Sequence, residues 1–271
     1  MIRQNLHTHT TFCDGHNTPE EMILGALACG CQSLGFSGHG PLVYDSEGWT
    51  TAMEDVSAYR QEILRLREKY AGRLAVYLGI EQDIDSPDPG PYYDYLIGSV
   101  HSVKVGEHHL SVDNNLRIFQ EAVDQYFGGD PLAFAEAYYG RVAHVAEHTH
   151  CQIVGHFDLV TKFNEGNALF SEDDPRYRNA ALSALEALCG QGLIFEINTG
   201  AVARGYRTLP YPAPFLLREL SRRGEAVCIT SDSHSTDTIL FGFAQAEELA
   251  RSCGFSETMV LTDQGFVPQK L

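Results

Sequence analysis

Six histidines and three carboxylates stand where short apolar segments of the sequence end. Imidazole and carboxylate groups together are ligands that suit Zn²⁺, Mn²⁺ and Fe²⁺. Nine such groups are too many for one ion that takes four to six ligands. Two or three ions that share a bridging carboxylate would use them all, and Glu81 is the natural bridge. The nine candidate ligands are His7, His9, Asp14, His39, Glu81, His101, His156, Asp232 and His234.

Each of these residues has a less specific explanation when it is taken singly. A lone histidine after a strand, such as His39, is more often a hydrogen-bonded polar residue than a metal ligand. The pair His7 and His9 is a stronger signal, because alternate residues of a strand face the same side. The joint pattern is harder to dismiss, since apolar strands have no structural reason to end repeatedly in histidine. His16 lies close to Asp14 and could ligate in its place, although Asp14 is favoured.

A rival zinc motif lies outside this pattern. Segment 144–148 reads His-Val-Ala-Glu-His and matches H-x-x-E-H, which binds zinc on a helix in one class of metalloprotease. The segment is predicted helical, so His144 and His148 would share a face. No third ligand is apparent nearby, and a five-letter pattern has weak specificity. We therefore predict that these histidines are exposed, as are His108 and His109 in a polar loop.

The candidate ligands must be positioned by strands that alternate with helices. Short segments rich in Val, Ile, Leu and Tyr are typical of strands buried on both faces. Strand–helix alternation implies parallel strands joined by right-handed crossovers. Seven or eight such units predict an α/β fold with a closed or nearly closed barrel, whose strands all end on one face. The predicted strands are 2–6, 33–37, 74–80, 95–100, 152–154, 193–197 and 226–230, with a weaker one at 259–261.

The predicted helices have recognisable ends. Thr18-Pro19-Glu20-Glu21 forms a capping box with proline at the first helical position, and the helix should end at Gly30. Segment 104–149 breaks the alternation and is predicted to be an insertion, with a loop and then one or two helices, that could cover the mouth of the site. Further helices are predicted at 53–70, 177–188, 214–222 and 243–253.

Composition excludes several classes of protein. The formal net charge of −17 disfavours binding to the phosphate backbone of nucleic acids. No apolar run approaches the ~20 residues needed to cross a bilayer, and the N-terminus has no apolar signal region. The seven cysteines lie mostly in apolar stretches without a CxxC pair, so neither disulfides nor a thiolate zinc site is predicted. These features predict a cytoplasmic protein, and its oligomeric state stays open.

The order of the motifs resembles the PHP (polymerase and histidinol phosphatase) superfamily over nearly the whole chain. The motifs that carry the resemblance are His7-Thr8-His9 with Asp14-Gly15, then His39, Glu81, His101, His156 and Asp232-Ser233-His234. Within the superfamily, the chain is most similar to monofunctional histidinol-phosphate phosphatases of the HisK/HisJ type. The stretches that support this similarity are 98–101, 155–160, 196–200 and 211–214.

The resemblance implies a single distorted (βα)₇ TIM-like barrel domain over residues 1–271, with the insertion at 104–149. It places a site for three divalent ions (Zn, Mn or Fe) at the C-terminal ends of the strands. By position, Glu81 would bridge the first two ions. The first ion would be held by His7, His9, Glu81 and Asp232, the second by Glu81, His101 and His156, and the third by Asp14, His39 and His234.

The implied activity is hydrolysis of L-histidinol phosphate to L-histidinol and phosphate, a step of histidine biosynthesis. Glu81 and Asp232 are the predicted catalytic residues, acting with a hydroxide that bridges two ions and attacks phosphorus in line. A cationic side chain would help to neutralise the phosphoryl oxygens. The candidates are Lys162, Arg204 and Arg207, although ordinary surface salt bridging explains Lys162 or Arg204 alone about equally well.

Three alternative functions stay open. The first is a PHP phosphoesterase that acts on another small phosphate ester or a nucleotide. The second is the exonuclease module associated with DNA polymerases, which the acidic charge and the lack of basic stripes disfavour. The third is a non-catalytic metal-binding domain, which is disfavoured because every motif position holds a competent ligand. The expected partner is therefore a small phosphate ester, with neither nucleic acid nor membrane.

Overall fold

Seven parallel strands form the central sheet of the computed structural model, which describes residues 2–44 and 48–271. Their spatial order follows their order along the chain. Next to the first and last strands, the backbone N–H groups of His9 and Ser233 donate to the carbonyls of Ser233 (2.8 Å) and His7 (3.0 Å). The sheet therefore curls into a nearly closed barrel, as predicted. Its strands are β1 (Gln4–Asn5), β2 (Ser33–Phe36), β3 (Ala75–Asp83), β4 (Tyr95–Ser99), β7 (Ile153–Val154), β8 (Ile194–Asn198) and β9 (Ala226–Thr230).

Helices connect most of the parallel strands. The link between β3 and β4, residues 84–94, contains no helix. The capping box at Thr18 is confirmed: Thr18 Oγ1 accepts from the Glu21 N–H and Glu21 Oε2 accepts from the Thr18 N–H. The helices are α1 (Pro19–Ala28), α2 (Val56–Lys69), α3 (Leu116–Phe127), α4 (Pro131–Val142), α5 (Val145–Thr149), α6 (Pro175–Leu188), α7 (Gly200–Ala203), α8 (Pro214–Arg223) and α9 (Phe243–Ser252).

The barrel interior is filled around Tyr95, which is 1% exposed. Its hydroxyl donates to the Leu6 carbonyl at 2.5 Å. A Cβ atom at Gly35 or Gly79 would lie 2.3 Å from the tyrosine side chain, so glycine is required at both positions to make room for the ring. The remaining interior is apolar and comes from most of the strands: Leu6, Ile97, Ile153, Ile194 and Cys228.

The weakly predicted strand at 259–261 is real but does not belong to the barrel. It lies within β10 (Glu257–Thr262), which pairs antiparallel with β11 (Gly265–Lys270) in a separate two-stranded sheet. Leu261 packs into the apolar cluster of the barrel interior, and its N–H and carbonyl bond the side chain of Gln4 in β1. This hairpin therefore covers the amino-terminal end of the barrel, opposite the ends where the candidate ligands lie.

The segment 104–149 differs from its prediction. Its first part is an antiparallel hairpin, β5 (Ser102–Val105) and β6 (His108–Ser111), where a loop was predicted. Three helices, α3, α4 and α5, follow instead of one or two. The hairpin was missed because its strands are only four residues each, and in β6 only Leu110 is apolar, so the alternation of β5 has no matching partner in the sequence.

The rival zinc motif is exposed, as predicted. His144 lies just before the short helix α5, and the side chains of His144 and Glu147 are 62% and 76% exposed. His148 Nδ1 lies 3.0 Å from the backbone carbonyl of His144, so this ring nitrogen is hydrogen-bonded within the motif. All seven cysteines are free. Throughout residues 2–44 and 48–271, every helix is too short or too polar to span a bilayer.

Candidate metal centre

All nine candidate ligands lie at the carboxyl-terminal end of the barrel. A cavity of about 500 Å³ opens there, and its wall includes Asp14, His39, His101, His156, Asp232 and His234. His7, His9 and Glu81 are at most 1% exposed and lie beneath these residues, in direct contact with them. Side chains that are separated by up to 227 positions in the chain therefore meet because parallel strands end on one face.

Glu81 lies at the centre of the cluster. Strand β3 runs past the predicted end to Asp83, so Glu81 is fixed within the sheet instead of following it. Its carboxylate is surrounded by the ring nitrogens of five histidines, of which His9 Nε2 is the most distant at 3.6 Å from Oε2. The distances from Glu81 Oε2 are 2.8 Å to His39 Nδ1 and 3.2 Å to His7 Nε2, and those from Oε1 are 2.9 Å to His156 Nε2 and 3.4 Å to His101 Nε2.

These neighbours keep Glu81 ionised. Burial acts to raise the pKa of a carboxylic acid, but His7, His39 and His101 hold the pKa of Glu81 well below its usual value. Asp232 is held in the same way by Arg204 and His7 against the effect of burial on its pKa. These two ionised carboxylates at the bottom of the cavity would attract a cationic ligand.

Asp232 and the two histidines of the first motif form one tight group. Asp232 Oδ1 lies 3.1 Å from His9 Nε2 and 3.7 Å from His7 Nε2. The backbone of Asp232 has a φ of 47°, in the left-handed region that costs a non-glycine residue free energy. This strained turn follows β9 directly and aims the carboxylate into the barrel mouth.

A second group is formed by His9, Asp14, His39 and His234, whose ligand atoms lie within 4.8 Å of one another. Asp14 Oδ2 is 3.2 Å from His234 Nε2, and Asp14 Oδ1 is 3.7 Å from His39 Nε2. His16 lines the cavity but does not belong to this group. The geometry therefore favours Asp14 over His16 as the polar partner of His39 and His234.

Several buried nitrogen and oxygen atoms of this cluster are better placed to bind a metal ion than to hydrogen-bond one another. His7 Nε2, His9 Nε2 and Glu81 Oε2 are buried and have polar neighbours within 4 Å. In the part of the chain that the structure describes, none of these neighbours meets them in hydrogen-bond geometry. Buried polar atoms are almost always satisfied, so unsatisfied ones call for a bound group. Imidazole nitrogens and carboxylate oxygens aimed at one point are the ligands of a divalent transition metal.

Two further carboxylates orient the histidines, and sequence reasoning missed both as site residues. Asp83 Oδ2 lies 3.0 Å from His101 Nδ1 and also accepts from the His101 N–H. Glu196 Oε1 lies 2.5 Å from His7 Nδ1, and its Oε2 accepts from the His156 N–H at 2.7 Å. Each carboxylate holds the proton on Nδ1 and thereby leaves Nε2 free to ligate.

A signal for these two residues does exist in the sequence. Asp83 follows Glu81 by two positions in β3, and side chains two apart face the same side of a strand. Glu196 lies in the middle of β8, where a buried carboxylate in an apolar strand requires a partner. Its partners include Asn198 and Thr230, which donate to its two oxygens.

Replacing Glu196 with glutamine is expected to lower the affinity of the centre for metal by about 10- to 100-fold. The amide cannot accept all the hydrogen bonds that the carboxylate accepts, so His7 loses its fixed orientation. Titration of the metal-free protein with Zn²⁺ would measure the change, and excess metal should refill the centre. The matched control is Glu186→Gln on the exposed face of α6. Wild-type metal affinity in Glu196→Gln would show that Glu196 does not support the centre.

The three cationic candidates have different surroundings. Arg204 donates from Nη1 to the Asp232 carbonyl and from Nη2 to Asp232 Oδ2, both at 2.9 Å, and it lines the cavity. Lys162 also lines the cavity but donates to Asp113. Arg207 is not among the lining residues, because its guanidinium is bound to Glu172 and the Thr161 carbonyl. The role of Arg207 in binding phosphate stays a prediction.

The wall above the centre comes from loops and from the insertion. Trp49 stands edge-on to the rings of His39 and His101, with centroids 4.7 and 5.2 Å away. Tyr44 stacks on His109 of β6 at 3.7 Å, so His109 faces the cavity although it was predicted exposed. The insertion region contributes Ser102, His109, Ser111, Asp113 and Asn114 to the cavity wall.

Comparisons with known proteins place the chain among similar sequences and folds. Residues 5–200 match the model of a family described as PHP domain, so Asp232 and His234 lie beyond the matched part. A Deinococcus radiodurans protein named as a probable histidinol-phosphatase is 33% identical over 263 residues, which are 92% of either chain. A Bacillus subtilis protein named histidinol-phosphatase is 26% identical over 267 residues, 90% of this chain and 97% of the relative.

A solved structure shares the fold over the whole chain. Histidinol phosphate phosphatase from Lactococcus lactis subsp. lactis, complexed with Zn, L-histidinol and phosphate, matches with a TM-score of 0.72. The two chains are 19% identical, and 98% of each is covered. At this identity the likeness establishes a common barrel architecture.

Proposed function

The chain belongs to the PHP domain family, and on that premise we propose that it is a histidinol-phosphatase. It is a metal-dependent phosphomonoesterase that hydrolyses L-histidinol phosphate to L-histidinol and phosphate. The observation that carries this proposal is the convergence of nine candidate ligands, Glu81 among them. Two of their buried imidazole nitrogens and one buried carboxylate oxygen have no hydrogen-bond partner in the described part of the chain. The names of the relatives in Deinococcus radiodurans and Bacillus subtilis supply the substrate.

We propose that the centre holds three divalent ions, of zinc, manganese or iron. Glu81 would bridge the first two ions, because its two oxygens face different histidines. Oε1 faces His101 and His156, and Oε2 faces His7, His9 and His39. His39 could serve either of two ions, since its Nδ1 faces Glu81 while its Nε2 faces Asp14. The proposed ligand sets are His7, His9, Glu81 and Asp232 for the first ion, Glu81, His101 and His156 for the second, and Asp14, His39 and His234 for the third.

Such ions lower the pKa of water and neutralise charge on phosphoryl oxygens. The contribution of the chain is to hold and orient the reacting groups. Glu81 and Asp232 stay ionised, so the centre keeps its ligands at neutral pH. Arg204 is anchored on Asp232 and would present its remaining guanidinium N–H groups to the oxygens of the phosphoryl group. Asp83 and Glu196 fix the ring orientations.

We also propose that residues 1–271 act as one barrel domain, with the insertion at 104–149 closing one side of the mouth. The support is that the hairpin β5–β6 and the residues after it line the cavity. The backbone N–H of Val112 donates to the carbonyl of His101 at 3.0 Å, which ties the insertion to a proposed ligand.

Replacing Arg204 with alanine is expected to raise the KM for L-histidinol phosphate by about 10-fold, because a charge-assisted contact to the phosphoryl oxygens is lost. Steady-state kinetics at a fixed metal content would measure the change. Arg218→Ala, on the exposed face of α8, is the matched control. An unchanged KM would remove Arg204 from the phosphate site.

The proposed substrate is tested by comparing phosphate release from L-histidinol phosphate with release from a panel of phosphate esters and nucleotides. The metal-loaded protein should have its highest kcat/KM for L-histidinol phosphate. A higher kcat/KM for another ester would identify that ester as the substrate, and the proposal of a metal-dependent phosphoesterase would still hold. Metal binding without release from any ester would contradict the enzymatic proposal altogether.

A further inference from the structure

The thiol of Cys13 lies beside one of the candidate metal ligands. Cys13 Sγ is 3.5 Å from His9 Nδ1, a hydrogen-bond distance for sulfur. His9 is fully buried, and its other ring nitrogen, Nε2, lies 3.1 Å from Asp232 Oδ1 and 3.6 Å from Glu81 Oε2. Within residues 2–44 and 48–271, no neighbour meets this Nε2 in hydrogen-bond geometry. One nitrogen of the ring therefore faces the thiol, and the other faces the position of the proposed first ion.

A tight turn after the first motif places the sulfur. The backbone N–H groups of Cys13 and Gly15 both donate to the carbonyl of Thr10, at 2.9 and 3.1 Å. A Cβ atom at Gly15 would lie 2.4 Å from the Thr10 nitrogen, so glycine is required there. On its other side the sulfur packs beyond the end of β2, where a Cβ atom at Gly38 would lie 3.3 Å from it. The sulfur therefore lies between this turn and Gly38, which immediately precedes the proposed ligand His39.

A histidine that binds an ion through Nε2 needs an acceptor for its other nitrogen. The ion leaves the single proton of a neutral imidazole on Nδ1. His7, which shares the proposed first ion with His9, has Glu196 as this acceptor at 2.5 Å. His101 of the proposed second ion has Asp83 at 3.0 Å. The corresponding proton of His9 has a sulfur atom in this place.

The sulfur is the better placed of two polar atoms beside His9 Nδ1. Asp14 Oδ1 lies 3.6 Å away, which is beyond the range of a hydrogen bond between nitrogen and oxygen. Asp14 is also a proposed ligand of the third ion. A thiol is both a weak donor and a weak acceptor, and an ion on Nε2 fixes the direction of the bond. The N–H of His9 then donates, and Cys13 Sγ accepts.

We propose that Cys13 is a positioning residue, whose sulfur accepts the hydrogen bond from His9 Nδ1 and thereby holds Nε2 towards the first ion. This inference rests on the metal centre of the proposed function. A neutral sulfur is a weaker acceptor than a carboxylate, and it passes no negative charge to the ring. Since a carboxylate acceptor makes an imidazole a more basic ligand, His9 is the weaker of the two histidine ligands of this ion.

The test compares two substitutions that remove the sulfur. Cys13→Ala leaves no acceptor at this position, whereas Cys13→Ser keeps a hydroxyl oxygen although it too loses the volume of the sulfur. Titration of the metal-free proteins with Zn²⁺ should show an affinity lowered by about 10-fold in Cys13→Ala, because an outer partner of a ligand is lost. In Cys13→Ser the loss should be about threefold or less, since the oxygen still accepts. Equal losses in the two variants would show that the sulfur only fills space, and would overturn the proposal.

The Nδ1 proton of His9 gives a second readout, which a mere packing defect would leave in place. In the ¹⁵N-labelled, Zn²⁺-loaded protein, this buried and hydrogen-bonded proton should give a resonance that exchanges slowly with water. In Cys13→Ala the resonance should shift and exchange about 10-fold faster, while those of His7 and His101 stay unchanged because carboxylates hold them. Identical Nδ1 resonances in the wild type and in Cys13→Ala would contradict the hydrogen bond.

Cys29→Ala is the matched control, because Cys29 is a free and exposed thiol at the end of α1. This variant should bind Zn²⁺ as the wild type does. Both readouts concern metal binding and need no substrate. Zn²⁺ binding without phosphate release from L-histidinol phosphate would refute the proposed activity and leave the role of Cys13 standing. Failure of the wild-type chain to bind Zn²⁺ would overturn the proposed centre and this inference with it.

Discussion

Replacing Glu81 with glutamine should lower kcat/KM for L-histidinol phosphate by about a thousandfold or more, which is the scale of losing metal-assisted charge stabilisation. Glu81 is buried and contacts five histidines, and its carboxylate is the one group shared by the first two proposed ion sites. An amide has half the acceptor capacity and no charge. The loss should appear in kcat and be accompanied by a lower metal content.

Glu68→Gln, on the exposed face of α2, is the matched control and should behave as the wild type. Metal content and phosphate release should be measured on the same samples, because a folded variant that has lost metal differs from one that has lost only catalysis. Wild-type kcat/KM in Glu81→Gln would remove the bridge from the mechanism.

The second large effect concerns the barrel that holds the ligands. Tyr95→Ala should lower the free energy of unfolding by about 3–5 kcal/mol, the range for deleting a buried aromatic side chain. Tyr95 fills the space that Gly35 and Gly79 leave inside the barrel, and its hydroxyl bonds the Leu6 carbonyl. Because Leu6 immediately precedes His7, the cavity left by this substitution should also loosen the first motif. Urea unfolding of the metal-free protein would measure the change.

The matched control is Tyr92→Ala, three positions earlier in the chain, where the side chain is 56% exposed. Tyr92 contacts the guanidinium of Arg60 at its ring face, so its loss should cost about 1 kcal/mol or less. Similar unfolding free energies for the two variants would show that Tyr95 does not support the barrel interior.

The architecture could be predicted from sequence because short local patterns indicate where strands and helices begin and end. Strand 226–230 was predicted to the residue, and the capping box at Thr18 fixed the start of α1. The end of β3 was misplaced, since Glu81 and Asp83 are polar and a polar residue in a sequence usually marks the end of a buried strand. Here each of the two carboxylates has imidazole partners, which removes the cost of burial.

The parts of the site that could not be predicted depend on long-range contacts. Glu196 and His7 are separated by 189 positions, and only the closing of the barrel brings them to hydrogen-bond distance. The partners of Arg207, Glu172 and Thr161, are 35 and 46 positions away, so no local signal in the sequence shows these contacts. His109 reaches the cavity wall because the hairpin β5–β6 folds back over the mouth.

The most direct test of the account is to strip the protein of metal and measure phosphate release from L-histidinol phosphate as Zn²⁺ or Mn²⁺ is added back. Release should be absent at the start, rise with added ion and level off at about three equivalents per chain. Undiminished release from the stripped protein would contradict the account. So would bound ions that restore no release at any ratio.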